Sequence, residues 1–152
     1  MTRTGCCGPL LIGLLAIVQP SPASAQRRIV LSGDPPPLVV VGAVAGSQPA
    51  PVTDATTTYA VSNPNRRQMM QILARLDAPL PPGVTLEITL EAPPGATSLG
   101  PVALTVANQP VVVGVPQGSW SGLRITYRLT AAVSAGVLGL QTRQVILTLR
   151  RQ

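Results

Sequence analysis

Glu87 and Glu91 are the two acidic residues nearest each other in the chain. Paired carboxylates are the one familiar acid–base device its composition leaves in reach. Four positions apart on a strand, they stand roughly 13 Å from each other at about 3.3 Å per residue. That exceeds the roughly 5 to 9.5 Å between the two carboxyl groups of glycoside hydrolases. Arg124 and Arg128 repeat the spacing of four, so adjacent strands can align the two sets as cross-strand ion pairs. Exposed pairs of this kind contribute about 0.2 to 1 kcal/mol each. We read the four residues as such pairs in preference to a ligand site.

Other chemistry is thinly supplied. The chain has no histidine and no lysine, and its two cysteines are Cys6 and Cys7. Past those cysteines, no side chain of the types that ordinarily serve as a neutral-pH base or an activated nucleophile remains. Asp34, Asp54 and Asp77 are scattered, and with the two glutamates they offer no metal-ligand cluster. Asp34 and Asp54 lie in proline-rich stretches where acids serve turns. Gly83, Gly95 and Gly100 read as turn glycines, since no strand–loop–helix pattern surrounds them. The expectation is a non-enzyme without metal or cofactor. Trp120, in the polar, glycine-flanked stretch Gln117–Gly122, is the one large aromatic set for contact. It either anchors a partner or caps the end of the fold.

The elements that carry these residues alternate with a period of two. Val84, Leu86, Ile88 and Leu90 are interleaved with Thr85, Glu87, Thr89 and Glu91. Leu123, Ile125, Tyr127, Leu129 and Ala131 are interleaved with Arg124, Thr126, Arg128 and Thr130. Each pattern predicts a strand with one dry and one wet face. Thr56–Val61, Val102–Val106, Pro110–Val115 and a last segment with Val145, Leu147 and Leu149 inward add further strands. Arg66–Leu76 fits a helical stripe or a strand, and we favour the strand because its surroundings are β. Residues 55–152 thus form an all-β domain, an immunoglobulin-like antiparallel sandwich of seven to nine strands, with a small barrel as the alternative.

Residues 26–54 alternate apolar runs with Pro35–Pro37, Pro49 and Pro51. Proline removes a backbone donor, so this segment reads as an arm holding one or two edge strands. Ahead of it, Arg3, the apolar stretch Pro9–Val18 and Ala23-Ser24-Ala25 have the order of a secretory signal cleaved between Ala25 and Gln26. The apolar stretch is about ten residues, against the roughly 20 of a membrane-spanning helix. No stable membrane span is expected after cleavage. Both cysteines leave with residues 1–25, so the exported domain must be stable without disulfides. The expected location is the periplasm, the cell surface or the medium, and the source bacterial.

Cleavage leaves ten arginines against five acids, a net charge of +5. Such a charge attracts anionic polymers. The arginines occur in pairs or at strand spacing, without a basic run or an aromatic stacking platform, which argues against nucleic acid.

From about Thr58 to Leu149 the chain resembles exported bacterial immunoglobulin-like surface domains, including spore coat protein U-type and related fimbrial subunits. The residues that carry this are Tyr59-Ala60-Val61, Leu80–Leu86, Gly122–Tyr127, and Ser134-Ala135-Gly136 ahead of Val145–Leu149. Members of those families often carry cysteines that this domain lacks. The resemblance implies a structural or adhesive subunit of a surface, coat or pilus-like assembly, with other copies or related subunits as partners. Some members of such families are completed by an N-terminal strand donated from a neighbour. Arg27–Leu31, with Ile29 and Leu31, and Leu38–Val44, with Leu38 and Val40, are the candidates, against the plainer reading of a first strand folding onto its own domain. The competing function is a monomeric periplasmic or extracellular binding module for a glycan or anionic polymer.

Overall fold

A computed structural model describes residues 27–40, 47–135 and 141–152. The proposed signal, with Ala23, Ala25 and Gln26, lies outside the described residues, as do positions 41–46 of the arm. The described residues form ten strands and no α-helix. In chain order the strands are β1 (Arg28–Ser32), β2 (Val52–Asp54), β3 (Thr58–Asn63), β4 (Met70–Leu76), β5 (Val84–Leu90), β6 (Thr97–Ser98), β7 (Val102–Ala103), β8 (Gln109–Val115), β9 (Gly118–Ala131) and β10 (Val145–Arg151). A short 3-10 turn occupies Val133–Ala135. Eight of the strands, β3 to β10, lie in residues 55–152, where seven to nine were expected, and β1 and β2 are edge strands of the arm.

The strands make two antiparallel sheets. One runs β1-β3-β9-β5-β7, with β2 also against β9; the other runs β10-β4-β8-β6. The 14-residue β9 organises the first sheet. Along one side its first half pairs with β3 and its second half with β2, while β5 lines the other side from Ile125 to Ala131. Thr89 opposite Thr126 and Leu86 opposite Leu129 keep wet and dry faces in register across this pair.

The two dry faces meet in one core. Leu86, Ile88 and Leu90 of β5 and Leu123, Ile125 and Tyr127 of β9 pack with Met70, Ile72 and Leu76 of β4 and Val111, Val112 and Val115 of β8. Most of these are aliphatic, as a chain without phenylalanine requires. The ambiguous segment resolves as β4, with Met70, Ile72, Ala74 and Leu76 all buried.

Two sequence expectations are corrected. Gln117–Gly122 is not a free loop, because Gly118 through Gly122 already belong to β9. Gly122 takes a positive φ of 70° where the register slips, so that Tyr59 faces Leu123 while Val61 faces Trp120. This is a glycine-supported bulge, which bends a long strand without ending it. Leu38–Val40 is not a strand either, since it follows Pro35–Pro37 and makes no ladder. Leu38 is half-buried against the core.

Candidate functional site

The carboxylate and guanidinium residues fall on neighbouring strands. Glu87 lies opposite Arg128 in the β5–β9 register, and Arg128 Nη1 donates to Glu87 Oε2 at 3.2 Å in an ion pair. Glu91 meets Arg124 differently. Its backbone N–H donates to the Arg124 carbonyl at 2.9 Å, and its Oε2 accepts the Arg124 backbone N–H at 3.0 Å. The Glu91 carboxylate thus stands in for a strand carbonyl. It extends the ladder one step past Leu90, where Pro93 and Pro94, lacking N–H groups, prevent the strand from continuing. The two glutamates therefore serve the sheet at separate places.

Trp120 lies opposite Val61, so the two side chains share a face, and Val61 is buried. The indole is half-buried against the core. It folds back over Gly118 so closely that a Cβ there would meet its ring carbons at 2.6 Å. The residue thus covers one end of the core, and glycine is the residue its ring leaves room for.

The arm residues Ile29 and Leu31 sit on β1, which pairs antiparallel with β3 of its own chain from Arg28 opposite Ser62 to Ser32 opposite Thr58. Ile29 packs on the core, but Val30 and Leu31 are 37% and 46% exposed. This strand is held by one neighbour and one partly buried side chain. At the same flank of the molecule β1 approaches β10, the edge strand of the other sheet. Val145, Leu147 and Leu149 of β10 are only partly buried against the core, and β10 pairs with β4 alone among the described strands.

Three polar side chains tie strands and turns together. Asn63 is fully buried, and its Nδ2 donates to the carbonyls of Gln68, Val115 and Pro116 at 3.0, 3.3 and 3.1 Å. Its Oδ1 accepts the Asn65 N–H at 3.2 Å. The Tyr59 hydroxyl donates to the Glu91 carbonyl. Asp54 accepts from Thr56 Oγ1 at 2.9 Å, closing the turn from β2 to β3. Burial and, secondarily, the Glu91 charge push the Tyr59 phenol far above its usual range. Tyr127 is raised by burial and then by Asp54. The signal for Asn63 was its place in Ser62-Asn63-Pro64-Asn65 at the end of a β-rich run; periodicity does not show that a turn amide points inward.

The hollows are shallow. One of roughly 260 Å³ is lined by Arg28 and Val30 of β1, residues 60–62 of β3 and residues 119–121 of β9, Trp120 among them. A more open one of roughly 380 Å³ lies among Arg27, Pro64, Asn65 and Arg66. Among the described residues no group of three or more His, Cys, Asp or Glu side chains is placed to hold a metal ion, and no helix is long and apolar enough to cross a membrane. Comparison with protein-family models, curated proteins and solved structures finds no match.

Proposed function

We propose that the chain is an exported, non-enzymatic structural or adhesive subunit that assembles through the β10 edge. The observation that carries this reading is a strand whose apolar side chains face the core while one of its two backbone edges has no partner among the described strands. Such an edge is a template for strand addition.

The wiring supports an immunoglobulin-like reading. In constant-type immunoglobulin domains, four strands in the order A-B-E-D face a sheet of C, F and G. The order β1-β3-β9-β5 corresponds to the first set, with β4 and β10 as C and F. Among the described strands none occupies the place of G, beside β10. A strand added there would lie between β10 and β1 and cover Val145, Leu147 and Leu149. The N-terminal arm supplies a candidate, since β1 is apolar, short and held by a single neighbour. Export to the periplasm, surface or medium rests on the order Arg3, Pro9–Val18, Ala23-Ser24-Ala25, with cleavage before Gln26.

The test is size-exclusion chromatography and electron microscopy of the secreted protein, beside a variant lacking residues 26–50. Oligomers or filaments in the parent, and a folded monomer in the variant, are the expected result. Strictly monomeric parent material under all conditions would overturn assembly. Amino-terminal sequencing should begin at Gln26, and an intact Met1 would remove the premise of export.

A further inference from the structure

Arginine pairs occur at Arg27-Arg28, Arg66-Arg67 and Arg150-Arg151, and the topology brings all three to one end of the molecule. Arg28 opens β1 opposite Ser62, one residue before the end of β3. Arg66 and Arg67 lie in the turn that joins β3 to β4. Arg151 closes β10 opposite Met70, the first residue of β4. Because β1 also approaches β10, these six arginines gather across neighbouring strand ends that are about 4.8 Å apart within a sheet and about 10 Å apart between sheets.

All six are exposed, and none is in an ion pair; among the described residues the one ion pair is Glu87–Arg128. The acids stand elsewhere. Asp34 and Asp77 follow the far ends of β1 and β4, while Asp54 and Glu87 lie beside Tyr127 and Arg128 in the second half of β9. Glu91 lies beside Arg124, six residues along β9 from Gly118 and so about 20 Å from that end at about 3.3 Å per residue. Such a separation exceeds the roughly 8 Å screening length at physiological salt.

The loop at this pole is fixed in place. Asn63 holds the Gln68 carbonyl, the Asn65 carboxamide oxygen accepts the Arg67 N–H at 3.1 Å, and Arg27 donates to the Gln68 side chain. An open hollow lies between Arg27 and Arg66. Six like charges held together repel one another unless an anion neutralises them. Guanidinium groups pair with tetrahedral oxyanions through two parallel hydrogen bonds.

We infer that this arginine pole binds a linear polymer carrying closely spaced oxyanions, laid across the strand ends, which goes beyond assembly through β10. The spread of three pairs over one end suits an extended chain better than a single anion. A bilayer surface is less suited, because the large apolar side chains exposed beside these arginines are only Met69 and, two residues from Arg28, Val30.

The experiment titrates purified protein with long-chain inorganic polyphosphate over a range of salt. Parallel arms use vesicles with anionic headgroups and the variants R66Q/R67Q, R150Q/R151Q and R75Q/R124Q. The last removes the same two charges from outside the pole. The expected result is salt-dependent polyphosphate binding, with the log–log salt slope reduced in both R66Q/R67Q and R150Q/R151Q, because fewer counterions are released. R75Q/R124Q should leave the slope as in the parent. Testing two separate pairs keeps the result readable if one variant folds poorly. An equal loss in R75Q/R124Q would reduce the effect to overall charge and sink the site. Tight binding to vesicles with none to polyphosphate, or no binding at low salt, would also overturn it.

Discussion

The Tyr59 hydroxyl donates to the backbone carbonyl of Glu91, joining β3 to the segment after β5 across the intervening strand β9. Tyr59 is fully buried opposite Leu123, so its ring fills core volume while its one polar atom ties three strands together. Replacing it with phenylalanine keeps the ring and deletes the hydroxyl. The expected cost is about 1 kcal/mol, because a part-buried carbonyl loses its donor. Urea unfolding of Y59F beside the parent measures it, and an unchanged midpoint would show that the hydrogen bond contributes nothing.

Tyr59 and Tyr127 also set a pH dependence. Burial, the larger cause in both, raises both phenols above the usual value, which is near 10 in an unfolded chain. Above that pH the unfolded chain releases protons that the folded one retains. Stability contributed by the neutral phenols is therefore complete below about pH 10 and falls as pH rises beyond it. In protein that begins at Gln26, which has no lysine or cysteine, other side chains contribute little in this window. Unfolding midpoints from pH 8 to 12 should decline from about pH 10, and less steeply in Y59F. A decline of the same steepness in Y59F would remove Tyr59 as its source.

The strands that carry Glu87 and Arg128 were legible in the sequence because each has one wet and one dry face. Val84–Leu90 and Leu123–Ala131 alternate for that reason and became β5 and the second half of β9. Gln117–Gly122 misled because glycine and serine ordinarily mark loops. Here Gly118 makes room for the Trp120 ring and Gly122 supplies the positive φ of a bulge within a strand. The pole was illegible for another reason. Arg28, Arg67 and Arg151 are far apart in the chain, and strand pairing alone makes them neighbours.

The Glu87–Arg128 pair joins partly exposed groups, with side-chain exposures of 27% and 52%. Solvent screening leaves such a pair a small contribution. A double-mutant cycle through E87Q and R128Q should give a coupling of about 0.2 to 1 kcal/mol at low salt, shrinking toward zero in about 1 M salt. Coupling that persists at high salt would show that the pair is held by geometry more than by charge.

Thr57 runs the other way. It is buried, and its Oγ1 has no hydrogen-bond partner, although its carbonyl accepts the Ile125 N–H at 2.9 Å. Valine has nearly the same shape and no hydroxyl to leave unsatisfied, while the backbone bond survives. T57V should therefore stabilise the fold by about 1 kcal/mol. A lower melting temperature than the parent's would mean that the hydroxyl is satisfied in solution.

Asn63 gives the largest expected loss, because one buried amide serves three backbone carbonyls from two segments. Asparagine has two N–H donors to spread over these three carbonyls, one of them shared, and an oxygen left to accept from Asn65. Alanine would leave the Val115 carbonyl without its side-chain donor and free the turn that carries Arg66 and Arg67. Aspartate would add a buried acceptor that cannot donate when ionised. The expected order of stability is parent, then N63A, lower by about 2 to 3 kcal/mol, then N63D, lower still at neutral pH. Protonating the N63D carboxyl restores a donor and removes the buried charge, so its deficit relative to N63A should narrow as the pH falls toward about 4. Unfolding measured at acidic and at neutral pH checks both the order and the narrowing. A deficit in N63D that does not change with pH would show that the side chain reaches water and is not the buried tie described above.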